Sequence, residues 1–255
     1  MRGEEPRAGG ARIWRDRALA ALAGGTLALS VVPTLAPAFA FLMWIPLRTS
    51  LEGGAPSARR GFVLGTLAGA ACNAVALYWV VGTLEAFGGF PTVASVPTAA
   101  LLFLAQGTVF GVATALAEAL RARGAGPWPL PLALTLLFAE APALFPWHPS
   151  TSLVAWLPLA QAAELGGVPL LDLLVLATGA ALAEALISRR ARPALFAAAL
   201  LALAGGAGAL RLDAVRAARA AAPSLHVGVV QPNIPVAHKR DPARLEDHLR
   251  ALREA

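Results

Sequence analysis

Four acidic residues, Glu85, Glu140, Glu164 and Asp172, stand in or beside long apolar runs of this sequence. A carboxylate in hydrocarbon is costly unless it is paired or wet, so acids in such places often handle substrate. They could attract a phospholipid amine or pair with a soluble domain. Most of them read rather as interfacial charges in contact with water; Asp172 and Glu140, read as the deepest, are the best substrate-handling candidates. Trp147 joins them from an apolar loop at 146–165 that suits the headgroup layer and lateral entry of acyl chains, or plain interfacial anchoring. Cys72 has a nucleophile's chemistry, but mid-run among alanines and Asn73 a buried thiol is inert, so it is assigned to packing. As the lone cysteine it allows neither an intrachain disulfide nor a cysteine cluster. His148 and His226 have no partner at ligand spacing, and neither a metal nor a cofactor is implied. His238, Lys239 and Arg240 suit an anionic lipid surface or a solvated loop.

The elements that must carry these residues are membrane spans. With 57% hydrophobic and 14% charged residues and a mean hydropathy of +0.64, the chain lies far from soluble composition. Its 21 Lys and Arg exceed 15 Asp and Glu, a balance that could suit nucleic acid. The charges form short clusters between apolar runs, however, and so read as a topology signal with no nucleic-acid partner. A span needs about 17–25 apolar residues. Residues 61–82, 96–120, 128–145, 166–187 and 193–210 qualify, and two shorter runs, 18–32 and 35–47, form either two short helices or a re-entrant hairpin. Basic residues fall in alternate loops: Arg2, Arg7, Arg12, Arg15 and Arg17; Arg48, Arg59 and Arg60; Arg121 and Arg123; Arg189, Arg190 and Arg192. The intervening loops at 33–34, 83–95 and 146–165 hold none, which puts the N-terminus in the cytoplasm and residue 211 onward outside. All six tryptophans fall near the proposed membrane edges. Ala38-Phe39-Ala40 imitates a signal-peptide cleavage site, but the apolar run continues past it.

Four regions result: a cytoplasmic segment 1–17, a bundle of about seven helices at 18–210, a linker at 211–224, and the start of a soluble domain at 225–255. In the last, 225–230 reads as a strand ended by Pro232 and Pro235, and Asp241-Pro242 opens a helix with Leu245, Leu249 and Leu252 on one face. One strand and one helix bury too little to stand alone.

From about Gly25 onward the chain resembles the bacterial apolipoprotein N-acyltransferases. The likeness runs through LYWVVGTLEAFGGFP at 77–91, FPW at 145–147, LAQAAELGGVPLLDLLV at 159–175 and VVQPNIPVAHKRDP at 229–242. It implies an α-helical multi-pass membrane bundle followed by the start of an extracytoplasmic α/β domain, a nitrilase-like (carbon-nitrogen hydrolase) αββα sandwich, on the bacterial inner membrane. It implies an acyl transfer from a phospholipid donor to the N-terminal diacylglyceryl-cysteine of a diacylated apolipoprotein through a cysteine thioester, with a glutamate base and an oxyanion lysine. That triad is expected beyond Ala255, so the chain is read as a partial sequence or a truncated product, inactive alone. Gln231, Asn233, Ile234, Pro235 and Lys239 match the family's first-strand motif; Pro232, Val236 and Arg240 depart from it, Arg240 standing where a substrate-handling tryptophan is usual. Glu140 resembles the acid ahead of the family's Phe-Pro-Trp loop, without the arginine often found after it. The substrate-binding candidates are therefore Glu140, Trp147, Asp172, Gln231, Asn233 and Lys239. The competing readings are a noncatalytic membrane anchor and a transporter; a transporter predicts polar pairs or broken helices at the midplane, where this chain is mostly Ala, Leu and Gly.

Overall fold

A computed structural model of the chain describes residues 5–31, 37–229, 231 and 242–254. The helices are α1 (Glu5–Leu29), α2 (Ala38–Leu42), α3 (Trp44–Glu52), α4 (Ala58–Ala76), α5 (Val80–Gly88), α6 (Thr92–Arg121), α7 (Pro129–Glu140), α8 (Leu157–Ala160), α9 (Ala163–Ser188), α10 (Ala191–Ala221) and α11 (Leu245–Glu254), with 3-10 turns at Pro149–Ala155 and Pro242–Arg244. Residues 1–214 form one compact unit and 215–255 a second.

The centre of the first unit is the α4–α6 pair, its most extensive helix contact. Glycines explain it. Gly61, Gly65 and Gly69 recur every four residues on α4 and face α6, Gly61 against Thr114, Gly65 against Phe110 and Gly69 against Gly107. A Cβ on Gly69 would lie 2.7 Å from the Gly107 Cα, and one on Gly65 would lie 2.5 Å from the Phe110 carbonyl oxygen. Removing the Cβ lets the backbones meet, the usual way helices gain contact where lipid gives no hydrophobic drive. Gly24 of α1 sits against the Ala68 carbonyl on another face of α4. Around this centre Leu27, Trp44, Leu47, Leu134, Leu153, Val175 and Leu176 are buried.

Among the described residues three helices, α6, α9 and α10, are long and apolar enough to cross a membrane, with a fourth if the bent pair α4–α5 is counted as one broken span. Seven spans were expected. The 61–82 run breaks after Ala76 and turns by 59° into α5, because Leu77 and Val80 find a small core of their own against Ala99 instead of continuing straight. The 128–145 run gives only the 12 residues of α7, about 18 Å of helix at 1.5 Å per residue, well short of a hydrocarbon core of about 30 Å. Pro142 stops it: Ala141, ahead of the proline, is extended (ψ 136). The shorter runs give the apolar half of α1 and the two short helices α2 and α3. The run at 166–187 forms α9 but kinks at Gly166 and Gly167, the latter at φ 67, where only glycine is unstrained.

At the ends, the helices extend into the segments read as cytoplasmic and as linker. α1 begins at Glu5, and α10 continues to Ala221 across the proposed linker. The expected strand is not formed: residues 225–229 have no regular secondary structure, and Leu225, Val227 and Val229 are exposed. A strand needs a partner for its ladder, and the described residues contain no strand to pair with it. The helix after Pro242 does form, as α11.

Three of the basic loops gather at one end of the bundle. Arg60, at the start of α4, reaches Asp16 at 2.8 Å and donates to the carbonyls of Leu51 (2.7 Å) and Ser50. Arg121, at the end of α6, donates to the same Leu51 carbonyl at 3.3 Å. Two arginines thus satisfy the open carbonyls at the end of α3 and favour its negative pole. Arg48 adds Glu52 and Glu184. Burial works against the Asp16 charge, but hydrogen bonds and charges from Arg15 and Arg60 outweigh it and hold the carboxyl below the usual aspartate range.

Candidate functional site

Away from that arginine cluster, the chain between α7 and α8 folds into the bundle. Phe145 donates its backbone N–H to the Gln106 Oε1 of α6 at 2.9 Å. The Trp147 indole donates to the Asn73 Oδ1 of α4 at 3.3 Å, and the Asn73 amide donates on to the Phe103 carbonyl at 3.4 Å. The Trp147 ring lies 5.6 Å from Phe138 and 6.3 Å from Phe110, while Phe145 meets Trp79 edge-on at 5.0 Å. Polar groups inside spans are costly unless satisfied; here they receive an inserted loop. The cleft left between Asn73, Gln106, Phe138, Phe145 and Trp147 is about 30 Å³, room for about one water.

Asp172 anchors the next part of the loop. It is fully buried in α9; its Oδ1 accepts from the Ser150 backbone N–H at 3.0 Å and its Oδ2 lies 2.7 Å from the His148 Nδ1. The local sequence explains the arrangement: Pro149 opens the 3-10 turn with His148 ahead of it, so the Ser150 N–H is one of the free donors of a helix start. A carboxylate against Nδ1 fixes the orientation of the ring, whose other edge is partly exposed. No nucleophilic thiol is near: Cys72 is fully buried in α4.

The candidates named from the sequence are not all brought together. Trp147 lies in the inserted loop, and Asp172 anchors that loop from α9. Glu140 does not belong with them: it is the exposed last residue of α7, not a deep one, because Pro142 ends the helix there. Glu164 pairs with Arg211 at 2.6 Å, and Glu85 is partly exposed on α5. Gln231 is exposed in the second unit, whereas Asn233 and Lys239 lie outside the described residues. Trp147 is partly buried against Phe138 and Phe110. Three participants were missed: His148 as a partner of Asp172, Asn73 and Gln106. The last two carried a usable signal, since a polar amide within an apolar span raises the same question as an acid.

The family model described as "Apolipoprotein N-acyltransferase N-terminal domain" matches residues 23–181, which include α4 to α7, the inserted loop and Asp172. A protein of Bordetella parapertussis (strain 12822 / ATCC BAA-587 / NCTC 13253) named "Putative apolipoprotein N-acyltransferase" is 32% identical over 271 residues, covering 95% of this chain and 49% of its own length. One of Bordetella bronchiseptica (strain ATCC BAA-588 / NCTC 13252 / RB50) named "Apolipoprotein N-acyltransferase" is 32% identical over 95% of this chain and 48% of its own length. The chain spans about half the length of the curated relatives it matches. It belongs to the apolipoprotein N-acyltransferase family, to which it corresponds through the N-terminal domain.

Proposed function

We propose that this chain is the membrane part of an enzyme that moves a fatty acyl chain from a phospholipid to the α-amino group of the diacylglyceryl-cysteine at a lipoprotein's N-terminus. The observation that carries the reading is the 32% identity, along 95% of the chain, to proteins named for that activity. Acyl transfer through a thioester needs a thiolate with a base in reach. Cys72, sealed inside α4, has no route to a lipoprotein amine, so the nucleophile, the glutamate base and the oxyanion lysine are assigned to none of residues 1–255. Their work is to hold both lipid substrates at the membrane surface. Trp147 and the loop locked by Asp172 form the face toward the donor and acceptor, with the arginine cluster in the cytoplasm and residues 225–255 opening an extracytoplasmic nitrilase-like domain. Gln231, Asn233 and Lys239 keep a substrate-binding role there.

The test is to express the whole reading frame in cells depleted of their own N-acyltransferase and measure triacylated lipoprotein by mass spectrometry. Triacylation restored is the expected result; a protein that inserts and folds but leaves lipoproteins diacylated overturns the reading. A reporter fused at Gly53 should score as cytoplasmic, and an exported signal there would reverse the topology.

A further inference from the structure

A groove of about 450 Å³ lies between α9 and α10, within the range of about 300–1,000 Å³ typical of ligand pockets. Its walls are Leu170 and Leu174 from α9 and Leu200, Leu203, Ala204 and Ala207 from α10. Near one end α10 closely approaches α8, where Gly208 lies so near the Pro158 carbonyl that no Cβ would fit. Both helices have the length and composition of membrane spans, so the groove meets hydrocarbon and not water. Left empty it would forfeit dispersion contacts along both walls. At about 30 Å³ for a water-sized or methylene-sized group, the space takes about 15 such groups, one acyl chain.

The polar residues lining the groove identify the rest of the ligand. α9 and α10 are consecutive and antiparallel, so Glu164, near the start of α9, and Arg211, late in α10, meet at the same end of the groove. The Arg211 Nε lies 2.6 Å from the Glu164 Oε2, and both side chains remain about half exposed (52% and 48%). A cation and an anion side by side complement a headgroup that carries both a phosphate and an ammonium; on an anionic headgroup or a free fatty acid the Glu164 carboxylate would be repulsive. Apart from these two, the only polar side chain in the lining is Gln161. None of the three is a nucleophile that would open an ester.

We propose that the α9–α10 groove holds one intact zwitterionic phospholipid as a resident ligand, an acyl chain between the helices and its phosphate and ammonium on Arg211 and Glu164. It is distinct from the acyl donor and does not depend on the acyltransferase reading.

The test uses the full-length protein in mild detergent, delipidated and then offered phosphatidylethanolamine or phosphatidylglycerol, with bound lipid counted by native mass spectrometry. One phosphatidylethanolamine beyond any held at the donor site is expected to stay bound and intact, preferred over phosphatidylglycerol. Arg211→Gln should lower its retention about fivefold, the scale of one basic residue at a headgroup, and Glu164→Gln should erase its headgroup preference. Ala204→Phe with Ala207→Phe fills the groove and should lower the count by that one lipid at unchanged melting temperature. A photo-crosslinking residue in place of Leu203 gives a readout should that double variant fail to fold: a lipid adduct supports the proposal. An adduct with another segment of the protein or a second copy overturns it, as does undiminished lipid in a folded groove-filled variant or equal binding of the two lipids. None of these readouts requires acyltransferase turnover.

Discussion

The His148–Asp172 pair makes the sharpest quantitative demand on the inserted loop. In Asp172→Ala, the Ser150 N–H and the His148 ring both lose the acceptor that now lies 3.0 and 2.7 Å away. Breaking a buried ion pair costs about 3–5 kcal/mol; here the carboxylate is the buried partner, and because His148 is partly exposed and can turn to water the lower half of that range is expected. In Asp172→Asn the side-chain oxygen can still accept from Ser150, and only the bond to His148 loses its charge assistance, a loss of about 1–2 kcal/mol. His148→Ala leaves the buried carboxylate with a single donor and should cost as much as Asp172→Ala. The informative quantity is the coupling from the cycle His148→Ala, Asp172→Asn and the double variant. A charged hydrogen bond at this distance predicts a coupling of about 1.5–3 kcal/mol. Unfolding in detergent gives the free energies, and cleavage within residues 146–156 by an added protease reports whether the loop has left the bundle. A coupling below about 0.5 kcal/mol, the scatter for independent sites, or a loop as protected in Asp172→Ala as in the parent, would refute the assignment of Asp172 as the loop's anchor.

Other perturbations probe the frame. Gly69→Val puts a side chain where a bare Cβ would already lie 2.7 Å from the Gly107 Cα, so the α4–α6 pair must part; thermal aggregation should show a loss at or above the usual overpacking range of about 1–3 kcal/mol, while Gly82→Ala, with no atom within 4 Å, should stay within about 0.5 kcal/mol. Asp16→Asn should cost near the lower end of about 3–5 kcal/mol, because Arg60 keeps the Ser50 and Leu51 carbonyls. Since the Asp16 carboxyl is held below its unfolded value of about 3.9, its contribution is complete above that pH and disappears as pH falls through the folded value. Melting curves of parent and variant should therefore differ at pH 6 and converge in acid, and a gap that persists at the lowest pH would contradict the ion pair. In the complete enzyme Cys72→Ala should leave acyl-enzyme formation intact, and residues 1–255 expressed alone should give no triacylated lipoprotein; a lost thioester with folding retained, or acylation by that segment, would return the chemistry to the membrane residues.

Much of the membrane frame was legible along the chain because hydropathy and breakers act locally. The apolar runs that became α6 and α9, and the Asp241-Pro242 start of the last helix, required no knowledge of neighbours. Basic residues in alternate loops already separated the Arg48, Arg60 and Arg121 group from the Trp147 loop. The four-residue glycine spacing of α4 went unread in the sequence, although its meaning as a close helix contact follows from size alone. The acids were a weaker guide: cost in hydrocarbon drew attention to Glu140 and Asp172 alike, and only one of them is buried.

By itself, the sequence determined that this is a membrane chain, where its long apolar helices lie, and the family to which its motifs belong, since each of these is a sum or pattern over neighbouring residues. Tertiary structure alone decided the 59° break between α4 and α5, the insertion of Trp147 against Asn73, the pairing of His148 with Asp172, and the groove left between α9 and α10. It also left residues 225–229 without the partner a strand requires. These features join positions from 24 to 74 residues apart or depend on how two helices diverge. Their energy exists only once packing has brought the groups within hydrogen-bonding or van der Waals reach, a condition that no local pattern encodes.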